Sequence, residues 1–168
     1  YGAIRTTDAS PTIDNNFITN SYYGGEFLGA SSPIFSNNEI AASDRTPIAM
    51  TLDANPIFTN NSFSSSDNEY DAIGLLGSVL TRDNVLPQRN FTDIDNVTYV
   101  LLGSVDIPVG TSLTINPGVV IKVQSGQNIE VQGELIADGN LADGYIVFTS
   151  INDDNYGNPL DTRNDGTD

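Results

Sequence analysis

Ser10-Pro11-Thr12-Ile13-Asp14-Asn15-Asn16-Phe17-Ile18, Ser32-Pro33-Ile34-Phe35-Ser36-Asn37-Asn38-Glu39-Ile40 and Asn55-Pro56-Ile57-Phe58-Thr59-Asn60-Asn61-Ser62-Phe63 are one phrase written three times. The prolines stand 22 and 23 residues apart (33 − 11 and 56 − 33). The shared pattern is small or polar, Pro, any residue, apolar, any residue, Asn, Asn, any residue, apolar. A phrase repeated at that period means stacked units that bury one continuous core.

The apolar spacing decides which kind of stack. Short runs such as Phe17-Ile18 carry no 3.6-residue period, and Pro, Gly and paired Asn weaken helices. Leu does not recur at fixed offsets, so the phrase is not leucine-rich. Short strands joined by tight turns, one wrap per repeat, give a parallel β-helix with coils about 4.8 Å apart. The asparagines suit its corners. Asn tolerates the left-handed backbone, and stacked side-chain amides can bond from coil to coil. Asn15, Asn16, Asn37, Asn38, Asn60 and Asn61 are therefore expected to stack at one corner as a ladder.

Working outward, residues 80–98 break the rhythm and read as a lateral loop or distorted coil. Strand-like runs then resume at Tyr99-Val100-Leu101-Leu102, Ser104-Val105-Asp106-Ile107, Leu113–Val123, Ile129-Glu130-Val131, Glu134–Gly139 and Tyr145–Ser150. The expected layout is a single all-β solenoid of about seven coils. Asn-Asn coils fill 1–79, an irregular piece 80–98, further coils 99–152 and an acidic loop 153–168. The opening Tyr1-Gly2-Ala3-Ile4 precedes Pro11 much as Tyr23-Gly24 precedes Pro33, so the chain is expected to continue beyond both ends in a longer parent.

Composition removes whole classes of chemistry. The 168 residues hold 6 Lys and Arg against 22 Asp and Glu, a formal charge of −16, which argues against nucleic acid and against anionic membrane surfaces. Without His or Cys there is no His-dependent acid–base scheme, no thiol chemistry, no disulfide, and little basis for zinc. No apolar run approaches the ~20 residues of a membrane-spanning helix.

Residues 99–165 resemble the repeat of large secreted or surface-attached bacterial β-helix proteins. The likeness is carried by Leu113-Thr114-Ile115-Asn116-Pro117-Gly118-Val119-Val120-Ile121-Lys122, Val131-Gln132-Gly133-Glu134-Leu135-Ile136-Ala137-Asp138-Gly139 and Ile146-Val147-Phe148-Thr149-Ser150. The acidic Asp153-Asp154-Asn155-Tyr156-Gly157 and Asp161–Gly166 follow as they do in that family, while its Trp-Gly coil is missing. The Asn-Asn units are similar to the generic right-handed β-helix repeat. The resemblance implies a right-handed solenoid and export to the bacterial surface; its repeats occur alike in adhesins, other surface proteins and accessory regions of polysaccharide enzymes.

Three functions follow as expectations. The first is a non-catalytic rod with no catalytic or cofactor-binding residues. The second binds carbohydrate or other surface proteins, with Tyr22, Tyr23, Tyr70, Tyr99 and Tyr145 as stacking platforms or as core aromatics. The third cuts acidic polysaccharides. A lyase needs Asp-bound calcium beside an Arg or Lys base, and Arg5, Arg45, Arg82, Arg89, Lys122 and Arg163 are the only cations. Calcium is the one candidate ligand ion. Asp161 and Asp165 alternate before Gly166, Asp153 and Asp154 lie nearby, and residues 153–168 hold five Asp against one Arg. Arg163 stands where an oxygen donor would be expected, so a solvated acidic loop is the competing reading.

Overall fold

The computed structural model describes residues 1–63 and 68–166. Positions 64–67, inside the first block, and 167–168, at the end of the acidic loop, lie outside the described residues. Seven parallel strands stack into one sheet that runs the length of the molecule: β1 (Gly2–Thr7), β4 (Tyr23–Leu28), β7 (Ile48–Met50), β10 (Ile73–Leu75), β13 (Tyr99–Leu101), β16 (Val120–Val123) and β19 (Val147–Ser150). Seven rungs bound six full turns of a parallel solenoid. Along the register Ile4, Gly25, Ile48, Ile73, Tyr99, Ile121, Phe148, the steps are 21, 23, 25, 26, 22 and 27 residues. The 22-residue beat of the sequence is thus kept in the strands, and the surplus goes into the turns between them.

The other walls change halfway. In the first three rungs β2 (Thr12–Asp14), β5 (Ile34–Ser36) and β8 (Ile57–Thr59) form one sheet, and β3 (Phe17–Ser21), β6 (Glu39–Ser43) and β9 (Ser62–Phe63) another. From the fourth rung, β11 (Ser78–Val79), β14 (Val105–Ile107) and β17 (Ile129–Val131) form one wall. The second is β12 (Asn84–Leu86), β15 (Ser112–Ile115) and β18 (Glu134–Ala137).

The core follows from strand alternation. Ile13, Phe35 and Phe58 share one inward row, and Ile18, Ile40 and Phe63 another. Phe35 and Phe58 pack edge to face with ring centres 6.0 Å apart, and Phe91 continues the stack at 5.1 Å from Phe58 and 4.8 Å from Phe63. Phe91 comes from residues 80–98. That stretch includes β12 and also buries Leu80, Leu86, Ile94 and Val97.

The two asparagines of each pair do different work. Asn15, Asn37 and Asn60 take φ of 58°, 51° and 52°, turning the left-handed corner between the two lower walls. Asn16, Asn38 and Asn61 carry the ladder beside them. The Asn38 Oδ1 accepts from the backbone N–H and the Nδ2 of Asn16, both at 2.9 Å, and its Nδ2 donates to the Ile13 carbonyl at 2.9 Å and to the Asn61 Oδ1 at 3.1 Å. Asn61 repeats the pattern, accepting from the Asn38 N–H at 3.0 Å and donating to the Phe35 carbonyl at 2.7 Å. Asn38 and Asn61 are fully buried, and these bonds satisfy amides that would otherwise be costly inside.

Candidate functional site

The outer face of the seven-stranded sheet is where ionisable groups and covering chain converge. Between its inward rows, the register runs Arg5, Glu26, Ala49, Gly74, Val100, Lys122, Thr149. Outward positions of a sheet normally meet water, yet Ala49, Gly74, Val100 and Lys122 are all buried. Tyr70, Ala72, Val100 and Ile151 form a second, small apolar cluster there, flanked by Leu102. A Cβ on Gly74 would lie 2.5 Å from the Leu102 Cδ1, so glycine is what lets that side chain close over the sheet.

The rest of the cover comes from the segment after β19. Instead of starting another wrap, it descends over the outside of the sheet from the seventh rung to the fourth. Asn158 exchanges bonds with Thr98, its N–H donating to the Thr98 Oγ1 at 2.7 Å and its carbonyl accepting from the Thr98 N–H at 3.1 Å. The Leu160 carbonyl accepts from the Lys122 Nζ at 2.6 Å. The Thr162 carbonyl accepts from the Asp71 N–H at 2.9 Å, and the Asn164 Nδ2 donates to the Asn68 carbonyl at 3.1 Å. This strap is the acidic loop of the sequence.

Lys122 is its electrostatic centre. Burial lowers the ammonium pKa below its usual 10.5, while Asp154, Asp153, Asp161 and Asp165 oppose that shift. The Asp154 Oδ1 lies 4.0 Å from the Lys122 Nζ. Four acids gathered near one strap cost Coulomb energy; the buried ammonium and Arg163 offset it from within the chain.

The four acids expected to hold calcium each have partners within the chain. Asp153 accepts from the Thr149 hydroxyl and from the Asn155 N–H and Nδ2 at 2.9 Å, which hold its carboxyl below the usual 3.8. Asp161 accepts from the N–H groups of Asp165 and Gly166 at 3.3 and 3.1 Å, and Asp165 pairs with Arg163 at 3.1 Å. Among the described residues no three acidic side chains come together as a metal site.

A carboxylate that sequence reasoning did not single out lies under the strap. Asp71 is buried, accepts from the Asn68 Nδ2 at 2.9 Å, and has its pKa pushed up to about 6, chiefly by desolvation, with Asp161 and Asp93 adding to the rise. Nothing in the stretch Tyr70-Asp71-Ala72 marks this, because the group that buries it comes from some ninety residues further along the chain.

Every candidate base is engaged. Arg5 faces Glu26 at 3.7 Å and Arg45 faces Glu69 at 3.1 Å. The Arg82 guanidinium donates to the Asp53 carbonyl at 2.7 Å, and buried Arg89 donates to the Pro56 carbonyl at 2.6 Å and the Asn55 Oδ1 at 2.8 Å. Of the tyrosines, Tyr23, Tyr70 and Tyr99 are buried, while Tyr22 and Tyr145 are exposed. Open clefts among the described residues include two. One, at the end of the stack, is lined by Val123, Ser125 and Phe148–Asn152; the other, on a side wall, includes Asp83, Ser112 and Glu134.

No helix among the described residues is long and apolar enough to cross a membrane. A family model described as a right handed beta helix region matches residues 1–155. No curated protein and no solved structure matches the chain.

Proposed function

The chain belongs to the family of right-handed β-helix regions, and from that premise we propose that it is a non-catalytic structural rod within a secreted or cell-surface protein. The observation that carries this reading is the state of its cations. All six Lys and Arg are tied to carboxylates or carbonyls of the same chain, and the lysine is buried beneath the strap. A lyase needs a free base beside its substrate, and an acidic polymer needs an excess of positive charge to bind, which 6 cations against 22 acids do not supply. A rod needs neither. Its requirements are a continuous core, hydrogen bonds that join one coil to the next, and a charged exterior. Placement at the bacterial surface follows from the likeness of residues 99–165 to surface-protein repeats.

The test offers the folded chain a panel of neutral and acidic polysaccharides. Binding is followed by glycan array, and cleavage by released reducing ends and by absorbance of unsaturated uronides. The expected outcome is silence in all three. Turnover that disappears in Arg82→Met or Lys122→Met would overturn the reading in favour of a lyase. Saturable glycan binding without turnover would replace the rod by an adhesive module.

A further inference from the structure

Two ionisable groups are buried under the strap, and only one has its charge answered. The Lys122 ammonium donates to the Leu160 carbonyl at 2.6 Å and faces Asp154 at 4.0 Å. Asp71, with 0% of its surface exposed, has no cation beside it. Its Oδ1 accepts from the Asn68 Nδ2 at 2.9 Å, and among the described residues no hydrogen bond reaches its Oδ2. The cations of the neighbouring elements are turned elsewhere: Lys122 to the strap carbonyl, Arg163 to Asn152 and Asp165, Arg45 to Glu69. The charges that bear on Asp71 most are Asp161, on the strap, and Asp93, on the loop after Phe91, and both are negative. The strap is what keeps water from this carboxyl. Fully buried Thr162 accepts from the Asp71 N–H through its carbonyl at 2.9 Å, and Asn164 closes over Asn68. Beside them lies the small apolar cluster of Tyr70, Ala72, Val100 and Ile151.

We propose that the strap is a proton-keyed latch: it stays closed over the outer sheet face while Asp71 carries a proton, and loosens, uncovering Asp71 and the apolar cluster, when that proton leaves. A dry carboxylate with no cation is costly, a neutral carboxyl much less so, and opening the strap returns the group to water. Asp71 titrates at about 6 under the strap against 3.8 in water, so it binds a proton more readily closed than open. Acid therefore favours closure, and opening grows as pH rises from 3.8 to about 6. The Asn68 and Asn164 amides pull the other way and are outweighed by desolvation. The other shifted groups of the strap cannot produce the same loosening. Burial lowers the Lys122 ammonium, and Asp153 is held below 3.8 by its hydrogen bonds. Both bind protons less readily with the strap closed, so rising pH favours closure through them. The latch makes exposure of an apolar patch on the side of the solenoid depend on the acidity around it.

Amide hydrogen exchange on the whole chain, corrected for the pH dependence of intrinsic exchange, reads the opening. The reporters are the amides of Asp71 and Thr98, whose acceptors lie on the strap, and the Asn38 amide in the asparagine ladder is the reference. From about pH 5 to about pH 8 the reporters should lose protection about tenfold, the ratio that a rise from 3.8 to about 6 gives over that interval, while Asn38 holds. Asp71→Asn should abolish the loss at Thr98. Asp93→Asn, at an exposed position, should shrink it by removing a negative charge that raises Asp71. In the unaltered protein the Asp71 carboxyl carbon, followed by NMR, should titrate near 6, where the loss of protection levels off; this reading decides the matter if a variant fails to fold. Even protection across the range, a loss shared equally by Asn38, a loss that persists in Asp71→Asn, or a carboxyl midpoint near 3.8 would each overturn the proposal.

Discussion

Replacing Asn38 by Ala removes the middle link of the asparagine ladder and nothing else of size. Four side-chain hydrogen bonds disappear, two accepted from Asn16 and one donated each to the Ile13 carbonyl and the Asn61 Oδ1. Each intramolecular bond is worth about 1 kcal/mol net, and a buried group left without a partner costs about 1–3 kcal/mol more. The Asn61 Oδ1 keeps the Asn38 N–H, so the heaviest losses fall on the Ile13 carbonyl and the Asn16 N–H. A destabilisation of about 3–4 kcal/mol follows, which for a chain of this size lowers Tm by about 10 °C. The neighbouring Asn37→Gly is the control. Its backbone sits at φ 51°, which glycine adopts freely, and its side-chain bonds to Asp14 and from Asn60 lie on the surface, where water replaces them, so the expected loss is below about 1 kcal/mol. Urea unfolding followed by circular dichroism, with equal slopes for all three proteins, measures the difference. If Asn38→Ala and Asn37→Gly lose similar amounts, the division of labour between the two asparagines is wrong.

Asp71, with a folded pKa near 6 against 3.8 for an ordinary Asp, binds more protons folded than unfolded between those values, so its contribution weakens stability as pH rises from 3.8 to 6. Asp71→Asn should therefore flatten that part of the profile and raise Tm at pH 7, by up to about 2 kcal/mol of stability; a pH series of thermal melts checks it. Asp14 and Asp153, held below 3.8 by hydrogen bonds, act in the opposite sense and only under acid conditions, so they do not mask the effect. Gly157→Ala should loosen the strap without disturbing the coils. Its Cβ would meet the Thr98 Oγ1 at 2.7 Å, at a φ of 111° that alanine resists, and faster amide exchange at Asp71 and Thr98 reports the release. Calcium titrated calorimetrically into chelator-treated protein should give no saturable heat and no gain in Tm at millimolar concentration, because the strap acids are already bonded. Heat that vanishes in Asp161→Ala or Asp165→Ala would establish a calcium site there.

The sequence by itself determined the solenoid, its period and its corner. Strand pairing between neighbouring coils demands the same residue type at the same level each time round, so the requirement is printed as a repeat: Pro11, Pro33, Pro56 and the three Asn-Asn pairs. The strands of the second half were readable for the same reason, since Val, Ile and Leu alternate between Gly and Pro punctuation from Tyr99 onward. Lys122 stood out as a charge inside an apolar strand, but its partner was invisible. Only the tertiary structure decided that the acidic tail folds back as a strap, that Leu160 and Asp154 meet that lysine, and that Asp71 is buried beneath Asn164. The exposure of the inward side chains Val131 and Phe148 likewise emerged only once the strands were stacked. Contacts of this kind occur once, between segments 32 to 96 residues apart (154 − 122 and 164 − 68). They impose no periodic constraint, and burial of a charge is a property of what lands on top of it rather than of the residues beside it in the chain.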